Sequence, residues 1–211
     1  MAVDLALVLA VDASGSVDDR EFALQLAGIA TGFRDPKVRS VIKSGPERRI
    51  AVALLVWADH QVPKDRTGWF VLASDQDMEN FARVAETFPR HQNGATGIGE
   101  GLAASLRAID TSGLEARRRV VDISGDGRET AAREFVVLLP QARAMAYARG
   151  ITVNGLAITN EDPELLSYYR NAVEAGSGSF TLPVTGYEVF AEAMRRKLLR
   201  EIEYRPAISR R

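Results

Sequence analysis

Apolar residues in this chain fall into two patterns: short unbroken runs, and longer stretches in which they recur every three or four positions. Leu5 to Val11 (LALVLAV) and Ile50 to Trp57 (IAVALLVW) are of the first kind. Without polar alternation, such runs predict strands buried on both faces, as in parallel sheets. Between them Phe22, Leu26, Ile29 and Phe33 lie at helical spacing. Ser16 and Asp19 have the spacing of a capping box for that helix, with Asp in place of the usual Glu or Gln, and the helix is expected to end near Asp35-Pro36. Trp69 to Leu72 reads as a short edge strand. A helix opened by Ser74 then runs through Met78, Phe81, Val84 and Phe88, followed by a helix from about Ile98 to Ile109 and a strand from Arg119 to Ile123.

From Glu129 to Arg149 the pattern is helical, with Pro140 expected to break or kink it because proline removes a helix donor. Ile151 to Ile158 is a further strand, Pro163 to Ala175 a helix and Ser179 to Leu182 a short strand. Thr185, boxed by Glu188, starts a last helix to about Tyr204, and the tail PAISRR is expected to be solvated. Strands alternating with helices need crossover connections. The expected fold is therefore α/β: three-layer and doubly wound, with a mostly parallel central sheet of about six strands, one short antiparallel edge strand, and helices on both faces. With no repeat or linker in its 211 residues, the chain is expected to form a single domain over residues 1–211.

Composition alters this picture only by exclusion. Apolar residues at 46% and charged ones at 26% match a folded protein and not a disordered one. No apolar run approaches the roughly 20 residues of a membrane-spanning helix. The 27 basic and 28 acidic residues leave a net charge of -1, which gives no bulk attraction for nucleic acid or anionic lipid, so binding has to be local. The absence of cysteine excludes disulfides, thiolate metal sites and a cysteine nucleophile.

In open α/β sheets, ligands bind beyond the carboxyl ends of the strands. Three loops place oxygen there. VDASGS, directly after the first apolar run, carries Asp12, Ser14 and Ser16 at alternate positions; SGDG, after the Arg119 strand, carries Asp126 between two glycines; and NGATG, before the Ile98 helix, carries Thr96. If the loops meet, two carboxylates and three hydroxyls converge. A hard divalent cation, Mg²⁺ or Mn²⁺ with Ca²⁺ possible, accepts such ligands, whereas zinc would want histidine or cysteine, which these motifs lack. Two carboxylates only balance the cation's charge, so a remaining position would attract an acidic side chain from outside.

This combination, Asp-x-Ser-x-Ser with a distant Thr and an Asp-Gly after a later strand, resembles the metal-ion-dependent adhesion site of von Willebrand factor A domains. The resemblance extends over nearly the whole chain. RRVVDISGDG, GITVNGLAI, the YYR segment and RRKLLREI look further like an uncharacterised, often exported bacterial subfamily of such domains. It implies that Ser14 and Ser16 bind the metal directly, Thr96 directly or through water, and Asp12 and Asp126 mainly through waters. It also implies a protein partner that offers Asp or Glu to the metal, no catalytic activity, and a periplasmic or secreted location, with a cytoplasmic one as the alternative. The chain begins MAVDLAL, without signal-peptide features, so a removed leader is part of that expectation.

Other readings compete with this one. The Asp12–Ser16 turn by itself also reads as a helix-capping turn, and the site as a whole could be vestigial in a structural or assembly subunit. NGATGIGEGLAASL looks like the phosphate loop of short-chain dehydrogenases, but FPRHQ and not a buried strand precedes it, and no tyrosine has a lysine four residues later. An aspartate phosphotransfer fold needs a second Asp two positions after the first, where this chain has Ser14. His60 and His91, Arg117 to Arg119 and the basic helix MRRKLLRE are expected on solvated surfaces, Trp57 and Trp69 in core and edge packing, and Asp122 as a partly buried hydrogen-bonding acid and not a second metal site.

Overall fold

The computed structural model describes residues 1–130 and 135–203. In chain order its first half contains β1 (Ala2–Asp12), α1 (Asp19–Arg34), α2 (Pro36–Ile42), β2 (Ile50–Trp57), β3 (Asp65–Arg66), β4 (Phe70–Leu72) and α3 (Asp75–Glu86). The second half contains α4 (Ile98–Asp110), β5 (Glu115–Gly125), α5 (Leu139–Arg149), β6 (Thr152–Ile158), α6 (Leu165–Tyr168), β7 (Thr181–Val184) and α7 (Phe190–Ile202). A π-helical turn, Tyr169–Val173, extends α6, and a 3₁₀ turn, Tyr187–Val189, leads into α7.

The strands form one sheet in the order β3-β2-β1-β5-β6-β7, with β4 also on β2. β1, β2, β5, β6 and β7 run parallel. β3 and β4 are both antiparallel to β2: β4 is the short edge strand expected from Trp69 to Leu72, and β3 is a further two-residue piece on the same strand. The fold class is the expected three-layer α/β arrangement. Alternation along β1 divides the core. Leu5, Leu7, Leu9 and Val11 pack with α1, α2, α3 and α7, while Val8 and Ala10 pack with α4, α5 and α6. A strand buried on both faces favours apolar side chains at every position, which is why Leu5 to Val11 of β1 and the whole of β2 read as unbroken apolar runs.

Several local expectations are corrected. The cap of α1 is Asp18 and not Ser16: Asp18 Oδ1 accepts from Glu21 N at 2.7 Å, and Glu21 Oε2 accepts from Asp18 N at 2.9 Å. Asp35 closes α1 and caps the unexpected α2 at once. Val84 is exposed, and Ala82 and Ala85 take the inward positions beside Met78 and Phe81. The helix expected from Glu129 falls partly on residues 131–134, which lie outside those described; 129–130 and 135–138 are not helical, and Pro140 sits in the first turn of α5, where a missing N–H costs no intrahelical bond. Thr185 caps nothing, since the 3₁₀ turn intervenes before α7. Tyr204 and the tail PAISRR lie outside the described residues.

Candidate metal centre

The end of β1 and the end of β5 lie side by side, with Val11 opposite Ser124. Asp12 and Asp126 therefore stand at the carboxyl ends of neighbouring central strands, on the same end of the sheet. Asp12 is fully buried, and its Oδ1 accepts from the Ser14 backbone N–H at 2.7 Å, the Asx turn that folds VDASGS back on itself. Ser14 Oγ lies 3.3 Å from Ser16 Oγ, and Ser16 Oγ donates to Asp126 Oδ1 at 2.7 Å. The third loop joins through its backbone, Gly15 N donating to Gly94 O at 2.8 Å. A β-carbon placed on Gly127 would stand 3.3 Å from Thr96 Oγ1, so the threonine hydroxyl faces the loop that bears Asp126. The five oxygen-bearing residues singled out in the sequence thus surround one end of the β1–β5 pair.

Among the described residues no group of three or more His, Cys, Asp or Glu side chains is placed to hold a metal. Any cation here relies on hydroxyls with two carboxylates. The electrostatics leave room for one: Asp12 Oδ2 is buried without a hydrogen-bond partner. Burial, and then the charge of Asp126, push the Asp12 carboxyl from 3.8 up to about 7. Neutral hydroxyls around two carboxylates, one of them half-satisfied and buried, fit a hard divalent ion.

Residues that motif spacing did not identify hold these groups in place. Gln25 of α1 donates to Asp12 O at 3.0 Å and lies 3.3 Å from Ser124 Oγ, joining helix and both strands. Arg90 donates to Ala13 O at 3.4 Å, to Ser14 O at 3.3 Å and to Val17 O, and its other arm reaches Asp19 at 2.6 Å. Asp59, after β2, accepts from Ala95 N at 3.3 Å and so anchors the Thr96 loop. Tyr187 OH donates to Asp126 Oδ2 at 3.0 Å, and burial with the facing carboxylates raises that phenol well above its ordinary range. Gln25 was missed as well; its one available signal was a polar residue within an apolar helical face. Nothing in the sequence pointed to Arg90 or Tyr187, whose contacts span 73 and 61 residues.

Elsewhere, the structure reassigns three features. Asp122 is wholly buried, not partly, with its carboxylate 2.6 Å from Lys197 Nζ; an ammonium fills the place of a cation. Lys197 and Glu201, expected on the solvated face of MRRKLLRE, are themselves buried, because they share the inward stripe of α7 with Met194 and Leu198. His60 is not on the surface but buried, 3.4 Å from Thr130 Oγ1. At the α4 amino end, where a phosphate loop would hold its ligand, Gly99 N donates to Glu129 Oε2 at 2.9 Å. That end is capped by a carboxylate.

Comparisons with known proteins agree with this architecture. A pilus adhesin, SpaC from Lactobacillus rhamnosus GG, superposes with a TM-score of 0.67 at 12% identity over 95% of this chain and 30% of its own. Proximal thread matrix protein 1 from the mussel byssus, with zinc in its MIDAS motif, gives 0.63 at 13% identity over 95% of this chain and 46% of its own. The von Willebrand factor domain of the type V pilus tip protein Mfa5 from Porphyromonas gingivalis gives 0.60 at 13% identity, covering 98% of both chains. This chain therefore spans under half the length of the first two. At such identities the likeness concerns the fold alone. Comparison with curated protein sequences gives no match. The family model described as protein of unknown function (DUF1194) matches residues 2–206.

Proposed function

The chain belongs to that family of unknown function (DUF1194), and we propose that it is a metal-dependent protein-binding module. In this reading Ser14, Ser16 and Thr96 offer hydroxyls, and Asp12 and Asp126 offer charge, to one divalent cation, Mg²⁺ or Mn²⁺. The cation supplies a positive site that accepts an Asp or Glu carboxylate from a partner protein. Asp12 carries the reading: its Oδ2 is buried and unpaired beside a second carboxylate, with hydroxyls within hydrogen-bond range of both motifs. A buried carboxylate with one oxygen unpaired is costly, and a cation between Asp12 and Asp126 would remove that cost. The protein's own part is to orient these oxygens: Gln25 fixes the end of β1, Arg90 the serine loop and Tyr187 the Asp126 carboxylate. The fold shared with adhesin and pilus proteins supports an interaction module, without enzymatic activity, in a single domain that works outside the cytoplasm.

A second reading, a structural or assembly subunit with a vestigial site, has one observation in its favour. Asp126 is already satisfied, by Ser16 at 2.7 Å and Tyr187 at 3.0 Å. Thermal unfolding of wild type and Asp126→Ala in EDTA, Mg²⁺, Mn²⁺ and Ca²⁺ separates the two. Metal at about 100 times its dissociation constant stabilises by roughly 2.7 kcal/mol, or about 5–10 °C for a chain of this size. The module requires that shift in wild type and its loss in the variant. No shift in either favours the structural subunit.

A further inference from the structure

Beneath the candidate centre lies a second set of polar groups that the metal reading leaves unused. Tyr169 opens the π-helical turn after α6, and its side chain is fully buried with no partner for its hydroxyl. Trp57, at the end of β2, is fully buried with its Nε1–H likewise unpaired. Both aromatic rings converge on Gly125, the last residue of β5. A β-carbon there would stand 2.7 Å from Tyr169 OH, 2.7 Å from Asp12 Oδ2 and 3.3 Å from Trp57 Cζ2. The unpaired phenol and the unpaired carboxylate oxygen thus border one small space, which exists because residue 125 has no side chain.

A second glycine completes the slot. On β6, Gly155 lies under the tyrosine ring, and a β-carbon there would come within 2.8 Å of Tyr169 Cδ1. Gly125 and Gly155 thus leave an unfilled lane on adjoining strands that the ring occupies. The π turn, a feature that often marks functional positions, brings the ring to that lane from outside the sheet. A phenol directed by such means into an apolar layer, with an unpaired carboxylate oxygen as its neighbour, is poorly explained as packing; phenylalanine would fill the lane without stranding a hydroxyl.

We propose that Tyr169 is a positioning residue for Asp12: its hydroxyl donates to Asp12 Oδ2 through one bridging water and fixes the carboxylate for the cation. The proposal rests on the metal-binding reading above for its purpose, but the contact itself stands apart from it. A phenol keeps its proton at neutral pH, so Tyr169 is available as a donor. Oδ1 is oriented by the Ser14 N–H and Oδ2 by Tyr169; both oxygens of Asp12 are then aimed from below, and the hydroxyl loops close over them. Groups that orient a metal-binding carboxylate in this way typically alter metal affinity by about 10- to 100-fold when removed.

Two measurements test it on the full chain. The first is a double-mutant cycle of Tyr169→Phe and Asp12→Asn, followed by urea unfolding in EDTA. Non-additive effects show that hydroxyl and carboxylate interact whether or not a metal binds; additive effects overturn the proposal. The second is Mn²⁺ titration of wild type and Tyr169→Phe by calorimetry. The expected result is a dissociation constant raised about tenfold in the variant. A variant with unchanged Mn²⁺ affinity overturns the positioning role, whatever its melting temperature. If wild type binds no Mn²⁺ while the cycle is non-additive, the metal reading fails and the Tyr169–Asp12 contact survives it.

Discussion

At the scale of single residues, the chain places its chemistry on short side chains and its control on long ones. Asp12, Ser14, Ser16, Thr96 and Asp126 have little reach, so their convergence depends on the loops that carry them. Arg90 is the longest of those controls: one guanidinium gathers carbonyls from Ala13, Ser14 and Val17 while pairing with Asp19. Such a fork suits arginine and not lysine. Arg90→Ala is expected to weaken Mn²⁺ binding about tenfold and to lower the melting temperature in EDTA by about 2–4 °C. Arg90→Lys should recover little of either. Calorimetric titration with parallel thermal scans checks this, and wild-type Mn²⁺ affinity in Arg90→Ala would show that the loop holds its shape without the guanidinium. These residues were partly legible in the sequence. Spacing within VDASGS and SGDG exposed the oxygen groups, but nothing local ties residue 90 to residues 13–19.

At the scale of elements, α7 is attached to the sheet by a buried charge as well as by apolar packing. Lys197 Nζ lies 2.6 Å from both Asp122 Oδ1 and Glu201 Oε1, and Asn154 Nδ2 donates to Glu201 Oε1 at 2.8 Å. Small residues let the helix approach: Gly28 and Gly32 of α1 face Phe190 and Leu198, where added β-carbons would come within 2.6 and 2.7 Å. Removing the ammonium leaves two carboxyls buried together. Lys197→Met is expected to cost about 3–5 kcal/mol in urea unfolding near neutral pH. Acidification should restore part of that loss, since Asp122, raised by burial and by the Glu201 charge, then takes up a proton. A loss under about 1 kcal/mol would show that the apolar face of α7 suffices to dock it. The sequence put the basic stretch of this helix on a solvated surface and so misjudged Lys197 and Glu201, because a lysine on the inward stripe looks the same as one on the outward face until its partners are known.

At the scale of the whole molecule, burial of acids makes stability depend on pH in a defined direction. Asp12 moves from 3.8 to about 7 on folding, and Asp122 is also raised. Between those limits the folded protein holds protons that the unfolded chain has released. Stability without metal is therefore expected to fall as pH rises from about 4 to about 7. A cation requires the ionised Asp12, so the extra stability in Mg²⁺ should grow across the same interval. Melting temperatures from about pH 4 to about pH 8, in EDTA and in Mg²⁺, test both slopes. A Mg²⁺ effect independent of pH would place the ion away from Asp12.

Apart from α2 and β3, the sequence by itself determined the alternation of the main strands and helices, the burial of β1 and β2 on both faces, and the oxygen-rich loops at the strand ends. These depend on periodicity and on residues within a few positions of one another, which local physics governs. Only the tertiary structure decided that Ser16 serves Asp126 and not a helix cap, that Pro140 begins α5, that Lys197 is internal, and that Tyr169 and Gly125 lie beneath Asp12. In each case the deciding partner is distant in sequence, or several groups compete for one space. The chain states which side chains are available, and the packing of sheet against helices selects which of them meet.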